Sequence, residues 1–381
     1  MRVAIDARSA IDAQKTGVGF YTWHLIHRLP EVDPATAYVA WYLHARGLLH
    51  PQRFFPDVRR ANFSERASRF PARLFSLMAS RFGEPKLDRL VEFDVLFAPN
   101  FIPPPSRGRK PVVVTVHDVA FRRFPETAGH LGSRWHAGFR RAIETAARIL
   151  VPSSSTREDL GELYGVDPAR VDVVPLGAEL TRPDHETIER TLERHGIDGP
   201  YVLFLGGIER RKNLPALLRA YALLPADARP ALVVAGGTVA RDTDAARRFR
   251  EALDVLPPGA RVIRTGYVSD EEKAALLSGA EALIYPSLYE GFGFPVLEAM
   301  AVGTPVVTSN SGALPEVAGD DAVLVDPSEP EAIARGLAEV LGDETLRARL
   351  REAGPVRAAS YTWERTAGGT ADALHRATGE R

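Results

Sequence analysis

The chain has 381 residues, 45% hydrophobic and 25% charged, with a formal net charge of -1. That length exceeds one ordinary core and points to two domains, and the balanced charge gives no global basic field that would favour nucleic acid. Cysteine is absent, which excludes disulfides, thiolate nucleophiles and cysteine metal sites. Met1–Asp6 lacks the apolar core of a signal peptide, and no apolar run approaches the length of a bilayer span. A cytoplasmic protein is therefore expected.

In chain order, the first half predicts strands over Val3–Asp6, Tyr38–Leu43, Val95–Ala98, Val112–Val116, Ile149–Val151 and Val171–Val174. The second half predicts them over Tyr201–Leu205, Ala231–Ala235, Val262–Thr265, Ala282–Tyr285, Pro305–Thr308 and Ala322–Val325. Many are Val/Ile/Leu runs without polar alternation, as expected of strands buried on both faces. Helical patterns such as Ser133–Ala147 and Leu214–Leu224 separate them. This alternation predicts an α/β protein with two Rossmann-like, doubly wound domains. The expected limits are 1–180, a linker at 181–199 with a helix around Glu186–His195, and 200–360; a last helix covers 361–377. Ligands of open parallel sheets bind beyond the strands' carboxyl ends, so the site is expected in the cleft between two facing domains.

Four stretches carry chemistry. Thr16-Gly17-Val18-Gly19-Phe20 precedes a helical pattern running through Leu29, where Gly17 and Gly19 would let a ligand approach the backbone. His117 and Asp118 follow a buried strand, where polar residues either cap the next turn or face the ligand. Leu205-Gly206-Gly207-Ile208-Glu209-Arg210-Arg211-Lys212-Asn213 places three cations after a strand end. Such cations suit a phosphate, since Arg forks it and Lys adds a point charge; the bland alternative is a solvated basic turn. Glu290-Gly291-Phe292-Gly293-Phe294-Pro295-Val296-Leu297-Glu298 sets two acids around a glycine loop. Pro295 marks a helix start, which would place Glu298 in the first helical turn. Carboxylates that grip hydroxyls, beside the unpaired N–H groups of a helix start that attract phosphate, suit a sugar nucleotide.

Between Arg46 and Arg89 the chain carries ten Lys/Arg and four Asp/Glu. Phe70, Leu74, Leu77, Met78 and Phe82 recur there at helical spacing among Arg66, Arg69, Arg73 and Arg81. Two readings stand: an apolar face packed on the first domain's sheet, the commoner arrangement, or peripheral contact of 66–82 with the inner face of an anionic membrane.

Glu290 through Glu298 resembles the EX7E motif of retaining GT-B glycosyltransferases of family 4. Val116-His117-Asp118, Pro152-Ser153-Ser154-Ser155-Thr156, Val174-Pro175-Leu176-Gly177, Arg211-Lys212-Asn213 and Tyr361-Thr362-Trp363-Glu364 resemble further runs of that family, so the likeness spans nearly the whole chain. It implies transfer of a hexose from a nucleotide diphosphate to a glycan, lipid-linked or small-molecule hydroxyl, with no metal and no cofactor. Glu290 matches the acid near the donor sugar's hydroxyls, and Gly291, Phe292, Gly293 and Phe294 match the loop around sugar and phosphate. Glu298 matches the acid on the ribose, Arg211 and Lys212 the diphosphate cations, Gly17 and Gly19 a facing phosphate loop, and His117 a histidine near the sugar's primary hydroxyl. Many relatives carry Arg where this chain has Gly207, which leaves the diphosphate role to Arg210 or Arg211. Base contacts are expected from Gly266-Tyr267-Val268 or Tyr285-Pro286, with a GDP-mannose or UDP-hexose donor. The resemblance is closest to mannosyltransferases that build surface polysaccharides. The alternatives are an epimerase-like enzyme of the same fold and a non-catalytic nucleotide-sugar-binding protein.

Overall fold

The structure, a computed structural model, describes residues 1–11, 17–43, 58–125, 131–237 and 243–379. The chain forms two compact units: Met1–Val119 with Leu131–Gly177 and Thr362–Arg381, and Ala120–His130 with Ala178–Tyr361.

The first half contributes β1 (Arg2–Asp6), α1 (Gly17–Val32), β2 (Ala37–Leu43), β3 (Phe63–Ser68), α2 (Ala72–Phe82), β4 (Val95–Ala98) and β5 (Val112–Thr115). There follow α3 (Ala120–Arg123), which groups with the second unit, α4 (Ser133–Thr145), β6 (Arg148–Val151), α5 (Ser154–Tyr164) and β7 (Val171–Val173). The described strands of the first unit form one parallel sheet in the order β3-β2-β1-β4-β5-β6-β7. β4 is buried along its whole length and β1 from its second residue, the reason both read as apolar runs. β3 escaped the sequence reading. Its segment, Phe-Ser-Glu-Arg-Ala-Ser, is an edge strand exposed at its four central residues, so no apolar run marks it.

The second unit contains α6 (His185–Arg194), β8 (Tyr201–Leu205), α7 (Leu214–Leu223), β9 (Ala231–Ala235), α8 (Thr243–Asp254), β10 (Val262–Gly266), α9 (Asp270–Gly279) and β11 (Ala282–Tyr285). It continues with α10 (Phe294–Ala301), β12 (Val306–Ser309), α11 (Leu314–Ala318), β13 (Val323–Val325), α12 (Pro330–Gly342) and α13 (Glu344–Ala358). Its described strands form a second parallel sheet, β10-β9-β8-β11-β12-β13. The helix expected near Glu186–His195 is α6. It is capped by Asp184, whose side chain accepts from Thr187 N, and it packs on α9. The last helix, α14 (Trp363–Thr378), is capped by Thr362 and packs on α1 of the first unit. There the Trp363 indole stacks on His24, with ring centroids 4.1 Å apart and planes 4° from parallel.

α2 changes the reading of the basic stretch. Phe75 is its one buried residue, packed with Trp41, Phe93 and Leu96; Phe70 lies partly buried against the same cluster. Leu74, Leu77 and Phe82, expected on a sheet-facing side, are instead 45%, 52% and 67% exposed.

Candidate active site

Strand order in the second sheet reverses between β8 and β11, which are neighbours although distant in sequence. Loops leaving the carboxyl ends of two such strands diverge and leave a crevice in which ligands bind. The loop after β8 carries Gly206 and Gly207 and then a single tight turn, Arg210–Lys212, which ends on Asn213 in the left-handed conformation (φ 60°). Asn213 Nδ2 donates to the carbonyl oxygens of Pro286 (3.3 Å) and Pro327 (2.6 Å). Leu288 N and Ser287 Oγ both donate to the carbonyl of Arg211, at 2.7 and 3.1 Å, and so tie the β8 loop to the β11 loop.

This stitching brings together residues nearly eighty positions apart. Glu290, 8% exposed, takes Lys212 Nζ (2.7 Å), Tyr285 Oη (3.0 Å) and Ser287 Oγ (2.5 Å) on Oε1, and Arg211 Nη1 (2.5 Å) on Oε2. Lys212 is 7% exposed and also bonds the Tyr285 hydroxyl. Arg211 holds a second acid, Glu209 Oε2, at 3.0 Å. Burial alone would raise the Glu290 pKa, but Arg211 and Lys212 overcome it and hold the carboxyl at about 2. Burial also lowers the Lys212 pKa, against the attraction of Glu290. The result is a desolvated, fully paired ionic cluster, costly to assemble and costly to break.

The backbone of Glu290 is fixed separately. Ala313 N donates to its carbonyl at 3.0 Å, and Gly312, at φ 60°, lies so close that a Cβ there would meet Glu290 O at 2.8 Å. Beyond it, α10 starts after Gly293, which adopts φ 118°, with Pro295 as its second residue. One expectation is corrected here. No acid lies in the first turn of α10, because the helix starts at Phe294 and Glu298 falls one turn inside it. Glu298 pairs with Lys273 of α9 at 2.6 Å, and Lys273 also pairs with Asp270 at 3.0 Å. Burial opposes the Lys273 charge, yet the two acids hold its pKa above the ordinary lysine value.

Gly291, Phe292 and Gly293 are buried, and the Phe292 ring meets Phe294 at 5.5 Å and Tyr361 at 5.9 Å. Arg210 is exposed, and Gly207 lies in the loop just before it. Tyr267 and Val268 follow β10, the outer strand, with β9 between it and β8; Tyr267 is 76% exposed. Tyr285, considered for a base contact, is fully buried and turns its hydroxyl onto Glu290 instead.

In the first unit the strand order reverses between β1 and β4. Gly17 and Gly19 are not in a loop before α1 but in its first turn, Gly17 exposed and Gly19 buried; Thr16 lies outside the described residues. An α-helix tolerates glycine well enough at its first turn for the period to begin there. His117 stands two residues beyond β5, and its Nε2 donates to the carbonyl of Pro99 at 2.8 Å. A carbonyl can only accept, so the neutral ring keeps its proton on Nε2 and presents Nδ1 as an acceptor. Burial lowers the His117 pKa and favours that neutral form, and the Tyr21 ring packs edge-on at 4.9 Å.

Sequence reading missed Glu209, Ser287 and Lys273 as members of these clusters. Ser287 and Glu209 had a usable signal, each within three residues of a candidate. Lys273 had none, because its link to Glu298 spans 25 residues through helix packing.

The sequence profile of Glycosyl transferases group 1 matches residues 187–357, and that of Glycosyltransferase Family 4 matches residues 16–182. A D-inositol 3-phosphate glycosyltransferase of Xylanimonas cellulosilytica is 32% identical over 294 residues, covering 72% of this chain and 69% of that protein. The O-antigen chain mannosyltransferase B of Escherichia coli is 28% identical over 382 residues, covering 94% of this chain and 96% of that one. Anabaena HepE, solved in complex with UDP and glucose, superposes with a TM-score of 0.73 at 17% identity, covering 99% of this chain and 100% of HepE. WaaG, a glycosyltransferase involved in lipopolysaccharide biosynthesis, superposes with 0.68 at 17% identity, covering 98% of this chain and 99% of WaaG. The two doubly wound units are those of the GT-B fold. The chain belongs to the group 1, family 4 glycosyltransferases.

Proposed function

We propose that the protein transfers a hexose from a nucleotide diphosphate to an acceptor hydroxyl with retention of anomeric configuration. The observation that carries this reading is Glu290, kept ionised by Arg211 and Lys212 at the switch point of the second sheet. As the bond from the anomeric carbon to the diphosphate breaks, its electron pair leaves with the phosphate oxygen. Arg211 and Lys212 stabilise that charge without a metal. Pairing with Glu290 keeps both cations in place before the donor arrives, so little reorganisation is needed. Glu290 offers its carboxylate to the sugar's hydroxyls, and Glu298 offers its own to the ribose. His117, neutral, offers Nδ1 as an acceptor to a sugar hydroxyl. The sugar passes through an oxocarbenium-like state, the acceptor oxygen forms the new bond to the anomeric carbon, and the acceptor's proton leaves with the departing diphosphate. Mannose is favoured as the sugar by the name of the Escherichia coli relative, with GDP-mannose and UDP-hexoses as the candidate donors. The acceptor is a glycan, a lipid-linked glycan or a small molecule.

The test is donor turnover with GDP-mannose and UDP-hexoses for the wild type, Glu290→Gln and Lys212→Ala, with the product anomer read by NMR. Both variants lose turnover on this reading; near-full turnover of every accepted donor by both would sink the site. Activity is expected to persist in chelator, and complete loss there would overturn the metal-free cradle.

A further inference from the structure

We propose that α2 of the first unit is a docking face for an anionic lipid bilayer. The argument rests on how the helix divides its residues. Successive side chains turn by about 100° around a helix, so Leu77, two residues after the buried Phe75, points about 200° away from it. Leu74 and Leu77, three residues apart, sit side by side on the outer surface, and Phe82, nearer the line of Phe75, is exposed at the helix end. All three are large apolar side chains in the open. Phe75 already anchors the helix to the sheet, so the fold does not need them for its core.

The charges around them have one sign. From Arg66 to Gly83 the chain has four arginines and no acid. Arg66, Arg69, Arg73 and Arg81 are all exposed, and among the described residues none makes an ion pair. Arg73 and Arg81 stand four residues before and after Leu77, on its own side of the helix. The Arg81 guanidinium sits 5.9 Å from the Phe82 ring, which places a cation beside an apolar tip. Unpaired arginine next to exposed leucine and phenylalanine matches the boundary between lipid headgroups and acyl chains. There the apolar tips insert and the guanidinium groups meet phosphate. A second copy of this chain is a poorer occupant, because the face carries no acid to answer its own arginines.

The helix is bounded for this geometry. It starts after Pro71, and Gly83 closes it at φ 63° with its N–H bonded back to Ala79 O. No helix among the described residues is long and apolar enough to cross a membrane, so contact of this kind would be peripheral.

Co-sedimentation of the full chain with vesicles tests the inference, using phosphatidylcholine alone and an equal mixture with phosphatidylglycerol. Binding is expected to the mixed vesicles at about 0.1 M salt and to fall at about 1 M, where the screening length shrinks to about 3 Å. A triple variant, Leu74→Ser, Leu77→Ser and Phe82→Ser, is expected to bind at least about tenfold more weakly. Arg69→Gln with Arg73→Gln and Arg81→Gln is expected to abolish the preference for phosphatidylglycerol. All six positions are exposed, so far-UV circular dichroism and the thermal shifts given by GDP and UDP should match the wild type. Absence of sedimentation at low salt overturns the proposal, as does equal sedimentation of wild type and triple variant. It is likewise overturned if light scattering finds a wild-type dimer that the triple variant splits. Failure of donor turnover would leave these outcomes untouched, since vesicle binding is read without donor or acceptor.

Discussion

Glu290→Gln is the substitution that most directly probes the ionic cluster. Glutamine keeps the shape of the side chain but has one acceptor and one donor where glutamate has two acceptors. Oε1 of Glu290 accepts from Lys212, Tyr285 and Ser287, and Oε2 from Arg211. Whichever way the amide is turned, its NH2 group faces a donor. With NH2 toward Arg211 it meets a guanidinium now held at 2.5 Å; turned the other way it meets an ammonium at 2.7 Å. Arg211 retains Glu209, but Lys212, 7% exposed, loses its acid. Breaking a buried pair by removing one partner costs about 3–5 kcal/mol. At roughly 2–4 °C per kcal/mol for a unit of this size, the melting temperature should fall by about 6–20 °C. Calorimetry and denaturant titration measure it. The double variant Glu290→Gln, Lys212→Met removes the orphaned charge and should recover at least about 1 kcal/mol as a coupling term. A loss below about 1 kcal/mol with no coupling would refute the claim that this cluster is desolvated and mutually paired.

Three further outcomes follow from the same geometry. Lys273→Met leaves Glu298 without its partner and should raise the donor KM about tenfold with kcat nearly constant, while Lys273→Arg restores it; an unchanged KM would refute a positioning role. Gly312→Ala meets Glu290 O at 2.8 Å and strains a left-handed residue, costing about 1–2 kcal/mol of stability and more than about tenfold in turnover. His24, stacked on Trp363 and beside Arg28 and His27, has its pKa lowered to about 4, chiefly by burial. The unfolded chain takes this proton near pH 6.5 and the folded chain near 4, so stability is full above 6.5 and falls by about 3 kcal/mol as pH drops through that window. Unfolding free energies between pH 4 and 7 should fall less steeply in His24→Phe than in the wild type, the remaining slope coming from His117 and His27, whose pKa values burial also lowers.

Two doubly wound sheets were legible in the sequence because strands buried on both faces must be apolar at every position. Tyr201–Leu205 and Ala231–Ala235 are such strands, and their limits match. β3 was not, since an edge strand can be polar and the ladder then leaves no mark on composition. Glu290, Arg211 and Lys212 were legible as residue types at strand ends, where a parallel sheet must place its ligands. Their mutual contact was not. Motif reading gave the cations to phosphate and the acid to sugar, and only the adjacency of β8 and β11 shows that they neutralise one another. The same limit applied to α2. Helical spacing marks an apolar stripe but not which neighbour covers it, and Phe75 rather than Leu74 or Leu77 reaches the sheet. Local pattern thus determined the elements, their alternation and the chemistry at their ends, because these depend on neighbours a few residues away. Long-range pairing decided which charges are desolvated together and which apolar face stays open, because burial is set by elements the chain brings back from afar.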